Sequence, residues 1–296
     1  MAGNRIRVLD YLDAFGEKGF HLAVRRETTQ GELDFHYHEG FAELVLVYRG
    51  YGIHIFENRE YPISPGDVFV INGSKIHAYK DIKDLEFFNI LFDEQELNIR
   101  WRDLNTLPGF QTLFRIEPAA LEQGILKSQF KLTPPQLIAA ENMVNEMEAL
   151  LQRREAGCQF HSLALFLELV VMLSKYYVAK NAAEANIPQR MGMLISFFEK
   201  HYATPINVEK MGEIVCMSRP ALFRHFRRVF QTSPIDFLNN LRLSKAGELL
   251  HHSDLSILEI AQRTGFPDSN YFSRIFRKVM NTSPSEFRVA GRNGSR

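Results

Sequence analysis

Apolar and polar residues alternate with different periods along the chain, and each period predicts a kind of structure. From about residue 20 to residue 92, short apolar runs such as ELVLVYRG, YGIHIFEN and DVFVING are separated by turn residues, among them Arg49-Gly50 and Pro65-Gly66-Asp67. Short strands that recur roughly every ten residues are typical of an antiparallel β-sandwich or barrel. Residues 1–132 are therefore predicted to form a β-sandwich or a β-barrel.

Helical spacing replaces this pattern from Pro134 onward. Apolar residues at positions 137, 140, 144, 147 and 151, and again at 165, 169, 172 and 176, recur every three or four residues. They predict two helices, at 134–155 and 161–180, within a helical segment that spans 133–180. The following residues 181–189, NAAEANIPQ, are mostly small and polar and end beside a proline, which predicts an interdomain linker.

The remaining residues, 190–296, carry helical patterns throughout. Three helix starts are marked by a serine followed three positions later by an acid: Ser233-Pro234-Ile235-Asp236, Ser256-Ile257-Leu258-Glu259 and Ser283-Pro284-Ser285-Glu286. The serine side chain accepts a hydrogen bond from the first turn, where a proline is also tolerated. The chain is thus predicted to be an α+β two-domain protein with an all-α C-terminal domain.

This helical region contains an internal repeat. Residues 222–237, LFRHFRRVFQTSPIDF, match residues 272–287, FSRIFRKVMNTSPSEF, at an offset of 50 positions, and the preceding helices align at an offset of 49. A duplicated helix-turn-helix module is the simplest explanation. In each copy the apolar residues share one face and should be buried: Leu222, Phe226, Val229 and Phe230, and then Phe272, Ile275, Phe276 and Val279.

The opposite face of each copy carries groups suited to DNA contact. Arginine pairs bidentately with guanine, and asparagine with adenine, in a major groove that admits a helix. This face carries Arg219, Phe223, Arg224 and Arg227 in the first copy, and Ser269, Asn270, Ser273, Arg274 and Arg277 in the second. Phosphate contact is expected instead from Arg227, Arg228, Arg277 and Lys278. A solvated charged face is the alternative, but its recurrence in two copies favours DNA binding.

Charge is divided unequally along a chain whose formal net charge is zero. Residues 188–296 hold 16 Lys and Arg against 9 Asp and Glu, a net charge of +7, so residues 1–187 carry −7. This division is typical of a nucleic-acid binder with a second, non-binding domain. Cys158 and Cys216 form neither a disulfide framework nor a zinc ligand set, and the first residues lack an apolar signal core. The longest apolar run, 163–173, is too short to span a bilayer, so a cytoplasmic protein is expected.

The C-terminal third resembles the AraC/XylS family of transcription regulators. The positions that match include Leu241-Arg242-Leu243, Gly265-Phe266, Asp268-Ser269, Phe276-Arg277-Lys278 and Thr282-Ser283-Pro284. The resemblance implies two modules in successive major grooves, held by a connecting helix at about 234–251. It also implies which residues read bases: Arg219, Phe223 and Arg224 in the first module, and Ser269, Asn270, Ser273 and Arg274 in the second. Phe223 departs from the family pattern, in which a polar reader is commoner, and either contacts a thymine methyl or contributes nothing.

Histidines in the predicted barrel resemble the metal-binding pattern of cupins. His36-Tyr37-His38, Glu43, Gly50 and His77 have the cupin spacing, and the two histidines of one strand share a face. Three imidazoles and a carboxylate are able to hold iron, manganese or zinc. Bonding of sugar hydroxyls inside the barrel and purely structural roles are the alternatives. We favour hydroxyl binding, expect no metal or other cofactor, and assign the candidate ligand pocket to His36, His38, Glu43, Arg49, His77 and Tyr79.

Two further stretches, residues 43–92 and RWRDLNTLPGF at 100–110, resemble regulators of L-rhamnose operons within this family. The resemblance implies a cytoplasmic activator, not an enzyme, that binds a monosaccharide and double-stranded DNA. It further implies a homodimer formed through 133–180 and contact with RNA polymerase. Two other functions stay open from the residues alone, a cupin metalloenzyme with an accessory DNA-binding domain and a constitutive DNA-binding repressor without a ligand.

Overall fold

Two compact units make up the chain, divided between Ala179 and Lys180. The computed structural model describes residues 6–16, 19–29, 33–56, 59–73, 75–101, 103–118, 130–153, 155–177 and 185–293. The division lies beside the predicted boundary between the helical segment and the linker. Residues 181–184 of that linker lie outside the described ranges, and residues 187–189 already belong to a helix.

Unit 1, the N-terminal part, is built on one large sheet. Its strands are β1 (Arg7–Leu9), β2 (Leu22–Thr29), β3 (Leu33–His38), β4 (Ala42–Phe56), β5 (Arg59–Ile63), β6 (Asp67–Asn72), β7 (His77–Phe92) and β8 (Phe130–Lys131). The hydrogen-bonded order is β1-β3-β7-β4-β6-β8, with β2 on β7 and β5 on β4. β1 and β3 run parallel, and the other pairs are antiparallel. The predicted β domain is confirmed, but the described strands curl without closing into a barrel.

The long strands β4 and β7 bend and belong to both halves of the sheet. The first residues of β4 pair with the last residues of β7, and the last residues of β4 pair with the first of β7. The register shifts between these stretches, around Arg49. Gly50 has φ 72° there, and a Cβ atom on it would lie 2.0 Å from the Asp84 carbonyl oxygen. The pair Arg49-Gly50, predicted as a turn between strands, is therefore a bulge within one strand, because the backbone bends while pairing continues on both sides.

Burial on both faces explains the continuous apolar run at the start of β4. Val45 and Val47 point to an inner cluster that includes Phe69 and Phe87. Alternate residues such as Leu44 point to the other face, where the helices of unit 1 complete a second cluster. A strand buried on both faces loses the polar alternation of a half-exposed strand.

Unit 1 contains the two predicted helices and several shorter helical segments that were not predicted. The helices are α1 (Tyr11–Phe15), α2 (Pro108–Phe110), α3 (Pro134–Arg153) and α4 (Cys158–Tyr176). A 3-10 turn (Leu104–Thr106) precedes α2, and α2 continues as a π-helical segment (Gln111–Ile116). The predicted break is confirmed at Gly157, which has φ 88°. α3 buries the predicted residues Leu137, Ala140, Val144 and Met147.

The buried stripe of α4 differs from the predicted one. Tyr176 is 38% exposed, and Leu165 and Met172 are only partly buried. Phe166 and Leu173 are buried instead, because Phe166 packs against Phe92 with ring centroids 4.9 Å apart and turns that side of the helix toward the sheet. By length and composition alone the 19 residues of α4 would be sufficient to cross a membrane, although the predicted apolar run was shorter. In unit 1 the same helix contributes these residues to the core.

Unit 2, the C-terminal part, is helical throughout its described residues. Its helices are α5 (Ile187–His201), α6 (Val208–Val215), α7 (Arg219–Phe230), α8 (Pro234–His252), α9 (Ile257–Arg263), α10 (Ser269–Met280) and α11 (Pro284–Asn293). The predicted caps are confirmed: the hydroxyl oxygens of Ser233, Ser256 and Ser283 accept hydrogen bonds from backbone N–H groups three residues later. The two modules are α6-α7 and α9-α10, with α8 between them as the connecting helix.

Each module is closed by buried aromatic residues on its second helix. Phe226 in α7 and Phe272 and Phe276 in α10 are fully buried, as predicted. Val279 corrects the prediction, because it is 44% exposed, whereas its counterpart Val229 is 3% exposed. In the last turn of α10 the following residue, Met280, packs against the module core instead.

A buried arginine on α8 links the end of α5 to the second module. Arg242 is 8% exposed, and its guanidinium donates hydrogen bonds to the carbonyl oxygens of Tyr202 (2.8 Å) and Thr204 (2.9 Å), just after α5. The same guanidinium lies 5.9 Å from the ring of Phe266 in the second module. Gly265, at φ 83°, leaves room for this contact, since a Cβ there would lie 2.3 Å from the Tyr202 oxygen. Arg242 thus connects the end of α5 to the turn between α9 and α10.

Candidate nucleic-acid interface and histidine cluster

The exposed side of α7 is strongly basic. Arg219, Arg224, Arg227 and Arg228 are exposed, and Phe223 is half-buried among them. Burial lowers the pKa of His225, and the positive charges of Arg224, Arg228 and Arg190 lower it further. Four exposed arginines on one helix provide a positive surface of the kind that attracts a phosphate backbone.

The corresponding side of α10 mixes charged and neutral hydrogen-bonding groups. Asn270, Arg274, Arg277 and Lys278 are exposed, and Ser269 and Ser273 are partly buried. The helix begins at Ser269, where the carboxylate of Asp268 accepts a hydrogen bond from the backbone N–H of Tyr271 at 2.7 Å. The predicted base readers of the second module therefore lie along the first two turns of a firmly capped helix, and Arg277 and Lys278 lie in its last turn.

One arginine of each module lies over an aromatic ring. The Arg219 guanidinium is 5.8 Å from the ring centroid of Phe223, and that of Arg274 is 5.3 Å from the ring of Tyr271. Such contacts restrict a flexible arginine and contribute about 0.5–1 kcal/mol at exposed sites. Phe223, which departs from the family pattern as a base reader, thus has a contact that positions Arg219. Tyr271 was missed from the sequence, although its place three residues before Arg274 on a helix is a usable signal.

The histidine cluster of unit 1 brings together four of the six predicted pocket residues. His36 and His38 come from β3, Glu43 from β4 and His77 from β7. One nitrogen or oxygen from each lies within 4.8 Å of those of the other three. A Glu43 carboxylate oxygen is 3.0 Å from Nε2 of His38 and 3.6 Å from Nε2 of His77. His36 is partly buried, and the other three are at most 1% exposed.

Burial and mutual charge set the ionisation of this cluster. Burial first lowers the pKa of His36 to about 4, with help from the nearby His77 charge. Burial also lowers the pKa of His38. For Glu43, burial acts to raise the pKa, but interaction with the surrounding histidines outweighs it and brings the pKa to about 2. These directions favour an anionic Glu43 beside neutral His36 and His38 rings.

His54 and Tyr79 lie next to the cluster in the inner layer of the sheet. His54 is fully buried, stacks on Phe69 at 4.7 Å and on Tyr79 at 5.0 Å, and lies 5.9 Å from His77. Burial lowers its pKa well below the usual value, so the ring is neutral. Tyr79 was predicted for the pocket, whereas His54 was missed because its strand carries no spacing motif.

The sixth predicted residue lies apart from the cluster. The side chain of Arg49 is 68% exposed and pairs with Glu86 at 2.9 Å on the bulged part of the sheet. Backbone bending at Gly50 carries it away from the inner layer.

A polar groove of about 500 Å³ lies at one end of the sheet and was not predicted from the sequence. Asp93 accepts hydrogen bonds there from the Tyr11 hydroxyl and from two backbone N–H groups. Glu94 accepts two from Arg115, at 2.9 and 3.0 Å, and one from the indole N–H of Trp101 at 2.5 Å. Carboxylates, an arginine and aromatic rings fixed in this way suit a small polyhydroxylated ligand.

Comparison with known protein families places both units. An AraC-like ligand binding domain family matches residues 21–170, and a helix-turn-helix domain family matches residues 211–290. The first match covers β2 to β8 together with α3 and most of α4. The second begins within α6 and covers the rest of both modules and the connecting helix.

Curated relatives match almost end to end. The HTH-type transcriptional activator RhaS of Escherichia coli O1:K1 / APEC is 29% identical over 97% of this chain and 98% of its own length. The protein of the same name from E. coli O139:H28 (strain E24377A / ETEC) is 30% identical with the same coverage. Among solved structures, the DNA-binding domain of AdpA, the global transcriptional factor, in complex with a target DNA, is 30% identical. This match covers 34% of this chain and 90% of the AdpA chain, with a TM-score of 0.33.

Proposed function

Because this chain belongs to the AraC family of transcription regulators, we propose that it activates sugar-utilisation genes in response to a monosaccharide. The observation that carries the proposal is the recurrence of an exposed arginine, Arg224 and Arg274, at the same position of two modules. Both modules are joined to a separate unit with its own ligand-sized groove. The relatives named as transcriptional activators support the direction of regulation.

In this proposal α7 and α10 enter successive major grooves. Arg219, Arg224, Asn270 and Arg274 meet base edges, with Ser269 and Ser273 beside them and Phe223 as the support of Arg219. Arg227, Arg228, Arg277 and Lys278 meet phosphates, because they are exposed toward the C-terminal ends of the two helices. Arg242 keeps the modules at the spacing that one helical turn of DNA requires.

The effector in this proposal lies in the groove at the end of the sheet. The four donor atoms of the histidine cluster are too close together, within 4.8 Å, to surround a sugar ring. The groove has the volume for one and presents Asn72, Asp93 and Arg115 with Trp101. A site built to bond hydroxyl groups discriminates strongly between sugars, so the groove would also set which sugar is sensed.

A dimer formed through α3 and α4 completes the proposed regulator. Ile138 on α3 is 59% exposed and Phe160 on α4 is 81% exposed, so both helices offer apolar side chains to a second subunit. The dimer would place its DNA-binding units on repeated half-sites in the cytoplasm and contact RNA polymerase. Effector binding would change DNA affinity by the difference in its own affinity for the two arrangements, typically about 1–3 kcal/mol.

The protein first selects duplex DNA from a random pool. It is then titrated into the selected duplex, and binding is measured by fluorescence anisotropy. The titration is repeated with L-rhamnose, L-fucose, L-arabinose and D-glucose. One sugar should change the DNA affinity by at least ~5-fold. The Asn72→Ala variant should lose this response and keep its sugar-free affinity, whereas Arg49→Ala, outside the groove, should retain the response. DNA affinity that no sugar in a broad panel alters would favour the constitutive repressor.

The histidine cluster gives a specific reason to consider the second candidate, a metalloenzyme with an accessory DNA-binding domain. Its donors are those of a metal centre. That candidate requires turnover of a substrate that depends on Glu43 and His77. A metal-free preparation that still binds DNA with sugar-dependent affinity, and that turns over no substrate, would exclude it.

A further inference from the structure

The histidine cluster has an unusual balance of hydrogen-bond donors and acceptors. Nδ1 of His36 lies 2.9 Å from the carbonyl oxygen of Asp34, and Nδ1 of His77 lies 3.0 Å from that of Lys75. A carbonyl can only accept, so each Nδ1 carries a proton. In a neutral imidazole the other nitrogen, Nε2, then has a free lone pair.

These lone pairs lie close to another acceptor. Nε2 of His77 is 3.6 Å from the Glu43 carboxylate and is buried, and neither of these atoms has a hydrogen-bond partner among the described residues. Nδ1 of His38 is also buried without such a partner in that part of the chain. A proton on Nε2 of His38 would serve one Glu43 oxygen at 3.0 Å, but it would leave the His77 lone pair facing the carboxylate. Buried acceptors that face one another are costly unless a positive group lies between them.

We propose that unit 1 binds one divalent transition-metal ion through His36, His38, Glu43 and His77. Ligand atoms bound to one ion at about 2.1 Å lie about 3.0–4.2 Å apart. The two Glu43 distances fall inside this range, and the widest separation, 4.8 Å, needs to close by only about half an ångström. Three imidazoles and one carboxylate select manganese, iron, cobalt, nickel or zinc over the oxygen-preferring calcium and magnesium.

The surroundings of the four residues suit this role. The backbone carbonyls of Asp34 and Lys75 fix the rings of His36 and His77 in the tautomer that binds through Nε2, as outer partners of metal-bound histidines do. Phe41 stacks on His38 at 5.1 Å and limits rotation of its ring. The ion would join β3, β4 and β7, so its binding should stabilise unit 1 as well as neutralise Glu43.

The proposal is independent of the regulatory function, because DNA binding depends on unit 2. The test uses the full chain without a histidine tag, treated with EDTA and dialysed. Mn²⁺, Co²⁺, Ni²⁺ and Zn²⁺ are titrated separately by calorimetry, and Co²⁺ binding is followed by its visible absorption. One ion per chain should bind and raise the thermal midpoint. Glu43→Gln and His77→Ala should each weaken metal binding at least ~100-fold. A loss of this size reaches the upper limit for removal of a residue that only hydrogen-bonds to a metal ligand.

Two variants serve as matched controls. His54→Phe removes the neighbouring buried histidine, which is not a proposed ligand, and should leave metal affinity unchanged. The double variant His251→Ala, His252→Ala removes an exposed histidine pair and should also have no effect. Circular dichroism and DNA binding check that each variant folds. The proposal is overturned if none of the four ions binds stoichiometrically. Binding that survives in Glu43→Gln and His77→Ala, or that the surface double variant abolishes, overturns it as well.

Discussion

Two buried glutamates of unit 1 are held in opposite protonation states by their neighbours. Glu43 lies among imidazoles, which bring its pKa to about 2 although burial acts against this. For Glu117 burial dominates and raises the pKa to about 8, opposed only by a hydrogen bond from the Tyr177 hydroxyl. Both residues are at most 1% exposed. The identity of the nearest polar group, more than burial itself, therefore decides which form is stable.

Glu117 should make the folded protein less stable as pH rises. Its pKa is raised from 4.5 to about 8, so the folded state keeps a proton that the unfolded state releases. The stability is complete below about pH 4.5 and is lost as pH rises through about 8. Glu117→Gln keeps an acceptor for Tyr177 and cannot ionise. Between about pH 5.5 and about pH 8.5, its thermal midpoint should fall at least about 2 °C less than that of the wild type. If the thermal midpoints of the two proteins changed equally with pH, ionisation of Glu117 would not destabilise the folded state, and the prediction would be wrong.

At this scale the sequence predicted the residues whose role depends on local spacing. The HxH pair and the exposed arginines of α7 and α10 follow from strand and helix periodicity, and the structure places them on the expected faces. His54 and Asp93 could not be predicted, because their surroundings come from segments distant in sequence. The burial of Glu117 follows from the packing of the unit 1 helices, which no local pattern encodes.

Element boundaries were the more predictable level, and the errors have identifiable causes. Serine caps marked the starts of α8, α9 and α11 correctly, since the hydrogen bonds that define them are local. The chain at Arg49-Gly50 was predicted as a turn, but long-range pairing keeps it within β4. At the end of α10 Met280 packs against the module core and Val279 is exposed. Helical spacing alone could not distinguish these adjacent residues, because the choice depends on what the helix packs against.

Removal of Arg242 should loosen the connection between the end of α5 and the second module. Arg242→Met leaves two carbonyl oxygens, of Tyr202 and Thr204, without this donor. Because hydrogen bonds to a charged group contribute about 1.5–3 kcal/mol each, the loss of two should cost unit 2 about 3–6 kcal/mol of unfolding free energy. DNA binding should also tolerate a changed spacing between the two recognised blocks.

Urea denaturation measures the effect of Arg242→Met on unfolding free energy. Fluorescence anisotropy on duplexes with one base pair added between the two recognised blocks measures its effect on spacing tolerance. Arg263→Met, at an exposed arginine of α9, is the matched control and should change neither quantity. If Arg242→Met kept wild-type stability and spacing preference, the modules would owe their arrangement to α8 packing alone.

The whole molecule separates two chemistries. The acidic part of the chain, net −7 over residues 1–187, holds the groove and the histidine cluster, and the basic part, net +7, holds the reading helices. This charge division was evident from the sequence, as was the presence of two units. The site of the effector was not, because the groove combines residues from β6, the end of β7 and the α2 region. The proposed function therefore depends most on unit 2, whose two modules carry exposed arginines at matching positions.

The most direct measurement is selection of binding sites from a random duplex pool by the wild type, Arg224→Ala and Arg274→Ala. The wild type should select two blocks of preferred bases separated by about 10–10.5 base pairs, one helical turn. Each variant should lose about 1–3 kcal/mol of affinity and relax the preference at one position, in a different block for each variant. A single block, or variants that select the same sites as the wild type with the same affinity, would contradict two-module reading by α7 and α10.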